Sequence, residues 1–230
     1  KIAYQGIAGS YSESCAKEIY PNCETISCKT FDECFNIANK DNEIKTLIPE
    51  SNKTTGNIGV EYLIFKYRLN VYAEHFYSIK HNLLGVPGSK LKDIKDVYSH
   101  AQALSQSSIF IKQNNLSENV RADTAGSAKY VSEKSDKTKA AIASSLSAQI
   151  YNLEIIKSNI QDNKENVTRF LLMGKNVMEP DFEKEKYITS LLFKLKSKPA
   201  ALYSALSGFA INGVNLTKLQ SFPEQNSFSS

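Results

Sequence analysis

The sequence predicts an α/β protein of two lobes, followed by a shorter α+β piece. Three observations carry that reading. Strand-like and helix-like stretches alternate from the first residues onward, an order that favours parallel sheets covered by helices. The same rhythm starts afresh near Asn70, and the composition changes after Glu179-Pro180.

Residues 2–5 read as a short strand, with Gly6 and Gly9 following in a tight loop. Ser10 and Glu13 have capping-box spacing, so a helix is expected from Tyr11 through Ala16 to Ile19. Residues 24–27 read as a strand. Thr30 and Glu33 then repeat the capping box ahead of Phe31, Cys34, Phe35 and Ala38, which share one helical face. The next strand is 46–48. In the second run, 71–79 and 82–86 read as extended, 97–99 as a short strand and 101–113 as a single helix. Strands at 120–122, 140–143 and 168–173 then alternate with helices at 125–132 and 146–151. Two such lobes joined by more than one crossing place a cleft between them, and open α/β sheets bind ligands outside the carboxyl ends of their strands. Further on, 187–196 reads as a strand, Pro199 opens a helix through Leu202, Leu206 and Phe209, and 215–221 is another strand.

The 230 residues are 41% hydrophobic and 23% charged, which excludes disordered and low-complexity chains and allows a sizeable core. No apolar stretch approaches the roughly 18 residues of a membrane span. Net charge is +4, but the 28 basic residues are scattered among 24 acidic ones, so nucleic acid is not implied. Only Arg68, Arg121 and Arg169 are arginine; the other basic residues are lysine. Where lysine is the default cation, an arginine marks a place that needs the planar, two-pronged guanidinium. Cys15, Cys23, Cys28 and Cys34 match neither zinc hooks nor a redox pair, and His75, His81 and His100 are remote from them. Reduced, mostly buried thiols and a cytoplasmic location are expected. The chain begins Lys1-Ile2-Ala3-Tyr4 with no apolar signal core and ends Ser227-Phe228-Ser229-Ser230, and it reads as a fragment.

Several strand-to-helix junctions carry unusual polar sets. In Ser99-His100-Ala101-Gln102-Ala103-Leu104-Ser105-Gln106 the two glutamines lie one turn apart on one face. That helix start suits a carboxylate or phosphate, or Ser99 simply caps it. Asp123-Thr124-Ala125-Gly126-Ser127-Ala128 has the same placement and the same two readings. In Asn166-Val167-Thr168-Arg169-Phe170 one of the three arginines sits beside a hydroxyl at a strand start. Arg169 is either a bidentate carboxylate clamp, with Thr168 bonding a reacting oxygen, or a member of a surface ion pair. Pro49-Glu50-Ser51-Asn52-Lys53-Thr54-Thr55-Gly56 follows another strand and offers polar contacts from the facing side. There is no Gly-rich phosphate loop, His/Glu metal cluster or Gly-x-Ser-x-Gly elbow.

These segments, in this order, resemble the prephenate dehydratase family. The resemblance is carried by Tyr4-Gln5-Gly6 through Gly9-Ser10-Tyr11-Ser12, by the Ser99, Asp123 and Asn166 segments, and by Ala140-Ala141-Ile142-Ala143. Thr189-Ser190-Leu191-Leu192-Phe193 and Asn215-Leu216-Thr217-Lys218-Leu219 resemble about half of the family's regulatory ACT domain. The resemblance implies a two-lobed catalytic region like a type 2 periplasmic binding protein over 1–178, with lobe one at 1–76 and 155–178 and lobe two at 77–154. A partial ACT domain at 186–230 is implied after it. It further implies conversion of prephenate to phenylpyruvate without metal or organic cofactor. Thr168 would donate to the leaving hydroxyl and Arg169 would clamp a carboxylate. Phe170 would shape the pocket, while Asn52, Ser99, Gln102, Gln106 and Thr124 orient the substrate. A phenylalanine effector would sit near Ala201, Leu202, Asn215, Leu216, Gln220 and Ser221, in a homodimer or homotetramer. Arogenate dehydratase and a non-catalytic amino-acid or carboxylate sensor are the alternatives. Two departures stand out. The family's Pro-x-Glu-Asn-Ser is here Pro49-Glu50-Ser51-Asn52-Lys53, and its Glu-Ser-Arg-Pro is Gln220-Ser221-Phe222-Pro223.

Overall fold

The computed structural model describes residues 1–179, 187–191 and 193–221. Its first elements are β1 (Ile2–Gln5), α1 (Tyr11–Ile19), β2 (Thr25–Cys28), α2 (Phe31–Lys40), β3 (Lys45–Asn52), the two-residue β4 (Gly56–Asn57), α3 (Glu61–Tyr67) and β5 (Asn70–Ser78). Both early helices start as their capping boxes demand. Ser10 Oγ accepts from the Glu13 amide, and Glu13 Oε2 reaches back to the Gly9 amide at 2.7 Å. Thr30 and Glu33 repeat the arrangement, with Glu33 Oε2 accepting from the Lys29 amide. Such a cap contributes about 1 kcal/mol and fixes where the helix begins.

The chain continues through β6 (Asn82–Gly85), β7 (Asp96–Ser99), α4 (Ala101–Ser105), α5 (Ser108–Gln113), β8 (Ser117–Val120), α6 (Thr124–Lys134), β9 (Lys139–Ala143), α7 (Ser145–Ile150), β10 (Glu154–Lys157) and β11 (Val167–Gly174), and ends its regular structure with α8 (Ala201–Ile211). Strands β2-β1-β3-β11-β5 form one sheet, with β4 beside β3, and β10-β6-β9-β7-β8 form the other. Pairing is parallel among β1, β2 and β3 and among β7, β8 and β9, as the alternating pattern predicts. The remaining pairings are antiparallel, so both sheets are mixed rather than wholly parallel.

Side-chain alternation sends each strand's residues into two layers. In the first sheet, Ile2, Leu47, Phe170 and Leu172 pack on α1, while Ala3, Ile48, Leu171 and Met173 pack on α2 and α3. In the second, Leu83, Val97 and Ile142 pack on α4 and α5, while Leu84, Ala141 and Ala143 pack on α6 and α7. The segments at 79–81 and 158–166 cross between the sheets and bond to each other, Ile79 N to Asn166 O and Ile160 N to His81 O. At the β1–α1 loop, Gly9 has φ +88°, and an added Cβ would lie 2.9 Å from Ser147 Cα. Only glycine fits that approach.

Several expectations change. The helix expected over 101–113 is two helices, broken at Gln106 and Ser107. Asp162 causes the break: its amide takes the Gln106 carbonyl, and its carboxylate accepts from Ser108 Oγ and the Ile109 amide to cap α5. Ser99 does not cap α4; His100 does, through Nδ1. Strand β10 pairs with β6, so residues 155–157, expected in lobe one, lie in the second sheet. Helix α3 is an element the pattern reading did not list.

The chain divides into two compact units, Lys1–Glu179 and Pro180–Ser230. In the second unit the helix after Pro199 forms, but 187–191, 193–196 and 215–221 are not strands. A strand pair holds only with further strands or a packed face, and Leu202, Tyr203 and Ile211 are exposed. Leu192, Phe222, Pro223 and the Ser227–230 end lie outside the described residues. Among the described residues no helix is long and apolar enough to cross a membrane. All four cysteines are free thiols. Burial pushes Cys15 up to about 12 and raises Cys28 and Cys34, which keeps these thiols protonated and unreactive.

Candidate active site

Thr168 is the second residue of β11, opposite Asn52 at the end of β3 and Tyr77 on β5. That places it at the carboxyl end of β3 and beside both crossing segments. Asn52 Nδ2 donates to Thr168 Oγ1 and to Asn166 Oδ1, each at 2.8 Å. The orientation of Asn52 comes from the turn behind it: Oδ1 accepts from the Thr54 and Thr55 amides at 2.9 and 3.1 Å, an Asx turn. Thr55 Oγ1 also accepts from Gln102 Nε2 at 2.9 Å, which ties α4 of the second sheet to this loop of the first.

The network continues through the crossing segments. Asn166 Nδ2 donates to Gln106 Oε1 at 3.0 Å, and His81 Nε2 lies 2.9 Å from the same oxygen. His81 Nδ1 lies 2.7 Å from the Tyr11 hydroxyl. Asn52, His81, Asn166 and Thr168 are all buried. Burial lowers the His81 pKa and raises that of Tyr11, so the imidazole and the phenol are both uncharged near neutrality. Gln106 Nε2 is buried and has no hydrogen-bond partner. A cavity of about 140 Å³, lined by Tyr11, Glu18, Tyr77, Lys80, Ser144 and Ser145 among others, adjoins the Tyr11 end.

Arg169 lies on the opposite face of β11 from Thr168, because consecutive strand residues alternate. Its Nε donates to Glu74 Oε2 at 2.7 Å and its Nη1 to Glu50 Oε2 at 3.2 Å. Glu50 sits where the β3 register shifts opposite Arg169 and Phe170. The Arg169 fork, which the sequence leaves open between a carboxylate clamp and an ion pair, here grips two carboxylates of the protein. Phe170 is buried in the core, 2% exposed, and packs edge-to-face on Tyr77, a residue of the cavity wall. Ser99 is fully buried, with Oγ donating to Ile142 O at 2.6 Å.

The structure therefore joins Asn52, Gln102, Gln106 and Thr168 in one network. Thr124, first residue of α6 behind its Asp123 cap, takes no part in these bonds. Ala201 and Leu202 lie in the first turn of α8, and Asn215, Leu216, Gln220 and Ser221 lie in the irregular segment after it. Sequence reading missed Tyr11, His81 and Thr55 as site residues and gave Asn166 no role. A histidine flanked by Lys80 and Asn82, between two extended runs, was the available signal.

The family model for prephenate dehydratase matches residues 2–178. Arogenate dehydratase 2 of Petunia hybrida is 38% identical over 226 residues, covering 98% of the chain and 57% of the relative. The chain thus spans little more than half the length of that relative. A bifunctional N-acyl-homoserine lactone acylase/prephenate dehydratase of Komagataeibacter europaeus is 34% identical over 229 residues, covering 99% of the chain and 82% of the relative. Among solved structures, prephenate dehydratase in complex with L-Phe from Arthrobacter aurescens superposes with TM-score 0.82 at 23% identity, covering 96% of this chain and 76% of that one. That likeness extends the two-lobed fold to a known architecture.

Proposed function

The chain belongs to the prephenate dehydratase family, and from that premise we propose that it converts prephenate to phenylpyruvate, CO2 and water in L-phenylalanine biosynthesis, as a carbon–oxygen lyase. The reaction breaks the bond to the ring carboxylate and sends its electron pair through the ring. The bond to the ring hydroxyl breaks, and that oxygen leaves as water once protonated. Aromatisation drives the step, so the protein has to orient the substrate, assist the departing oxygen and keep the fragmenting carboxylate poorly solvated.

One observation carries the assignment. Thr168 Oγ1 accepts from Asn52, and its own hydrogen has no acceptor among the described residues. A hydroxyl held in this way is ready to donate to an oxygen that gains negative charge in the transition state. Gln106, with its unpaired Nε2, and Gln102 are the orienting amides; Thr124 completes the set from α6. Ser99 is anchored on Ile142 O at the end of β7, and Arg169 braces the strand that carries Thr168.

Arogenate is the second substrate reading, favoured by the name of the Petunia hybrida relative. Phenylpyruvate release from prephenate compared with phenylalanine release from arogenate separates the two. Binding of either without turnover would instead support a sensor. Phenylalanine is the proposed effector of the 186–230 segment, supported by the L-Phe complex of the Arthrobacter aurescens protein. The exposed apolar residues of α8 favour assembly into a homodimer or homotetramer. Four unpaired thiols favour the cytoplasm.

A further inference from the structure

We propose that Tyr11, His81 and Asn166 are positioning residues. With the turn at Thr54 and Thr55, they hold the amides of Asn52 and Gln106 in one orientation, with neutral His81 carrying its proton on Nε2. As a result Thr168 and Gln106 each keep a hydrogen free for a substrate oxygen. The inference rests on the dehydratase reading of Thr168 and deepens it.

The argument starts from groups that can only donate. A backbone N–H has no acceptor capacity, so the Thr54 and Thr55 amides fix which end of Asn52 is the oxygen. Asn52 Nδ2 then spends both hydrogens, one on Asn166 Oδ1 and one on Thr168 Oγ1. The Thr168 hydroxyl, already accepting, points its hydrogen elsewhere. Because Asn166 Oδ1 accepts, Asn166 Nδ2 is the donor to Gln106, and the atom it meets is Oε1. His81 Nε2 faces the same oxygen at 2.9 Å, a contact that is a hydrogen bond only if Nε2 carries the proton. A neutral imidazole has one proton, so Nδ1 is then bare and accepts from the Tyr11 hydroxyl at 2.7 Å. The Tyr11 hydroxyl has a second acceptor, Lys80 O, at the longer distance of 3.2 Å. Turning the hydrogen there would force Nδ1 to donate and, in a neutral ring, set bare Nε2 against Gln106 Oε1. Burial of His81 opposes the doubly protonated ring that would satisfy every contact.

Direction thus passes from two turn amides through Asn52, Asn166 and Gln106 to His81 and Tyr11. With Gln106 Oε1 committed twice, its Nε2 is turned away from the network and has no partner. Buried polar groups are normally satisfied, so the open amide hydrogen of Gln106 and the open hydroxyl hydrogen of Thr168, joined through Asn166 and Asn52, are the donors this network leaves for a ligand oxygen.

The test is the protonation pattern of His81 in the full chain, read by two-bond ¹⁵N–¹H correlation at neutral pH and assigned by loss of its signals in His81→Gln. The expected result is a neutral ring protonated on Nε2. An Nδ1-protonated or charged ring overturns the proposal, and this readout does not depend on turnover, so failure of prephenate conversion would defeat the dehydratase reading separately. Kinetics supply the second arm. Tyr11→Phe should lower kcat for prephenate about tenfold with KM within about twofold, the loss of one aligning hydrogen bond. His81→Gln, which keeps an N–H near the Nε2 position, should retain about tenfold more activity than His81→Leu. Equal kcat in wild type and Tyr11→Phe, or no difference between the two His81 variants, contradicts a positioning role.

Discussion

Arg169→Lys separates a substrate clamp from a sheet brace. In the structure the guanidinium bonds Glu74 through Nε at 2.7 Å and Glu50 through Nη1 at 3.2 Å. An ammonium group is a single point donor and keeps one of these contacts. A hydrogen bond to a charged group contributes about 1.5–3 kcal/mol. The side chains of Arg169 and Glu74 are 22% and 28% exposed, so solvent screening brings the expected loss to about 1–2 kcal/mol. For a domain of 150–250 residues each kcal/mol is about 2–4 °C in Tm, and a fall of about 2–8 °C is expected by calorimetry. On the same protein KM for prephenate should change less than about threefold. A KM raised about 100-fold at unchanged Tm would refute the brace and restore the clamp.

Asn52→Asp keeps the acceptor for the Thr54 and Thr55 amides but turns the donor that meets Thr168 into an acceptor. The Thr168 hydrogen then points at the carboxylate, and steady-state kinetics should show kcat lower by about 100-fold; a drop under fivefold contradicts the assigned polarity. Gly9→Ala puts a side chain at φ +88° against Ser147, and urea unfolding should show a loss of about 2 kcal/mol or more; an unchanged midpoint argues against the tight interlobe approach. Burial lowers the pKa of both His81 and His75. Below about pH 6.5 the unfolded chain binds protons that these folded imidazoles refuse, so stability falls as pH drops towards 5. Melts at pH 7.5 and 5.5 should show that fall, with a shallower slope in His81→Gln; identical slopes would exclude His81 as a contributor.

What could be read from sequence follows from how local each interaction is. The capping boxes at Ser10/Glu13 and Thr30/Glu33 span three residues, and both fold as spacing predicts. The parallel cores of both sheets were legible for the same reason: apolar alternation and helix starts are local. The break in 101–113 was not, because its cause, Asp162, lies 54 residues beyond Ser108. Arg169 shows the limit most clearly. Its rarity marked it correctly as a place that needs a fork, but its partners are 95 and 119 residues away, and no pattern within the motif says whether a fork grips a ligand or the protein. His81 was passed over as a metal ligand, since its role depends on crossing segments that meet only in three dimensions. The strands expected in 187–196 and 215–221 had apolar character, but a strand also needs neighbours, which a pattern does not supply.

The central claim is that a Thr168 hydroxyl aligned by Asn52 assists the departing oxygen of prephenate. Its most direct test is phenylpyruvate formation from prephenate by the purified full chain and by Thr168→Val. The account predicts turnover by the wild type and a kcat lower by about 100- to 1,000-fold in the variant, with KM within about threefold. Absence of phenylpyruvate with the wild type, or a variant as fast as the wild type, would contradict it.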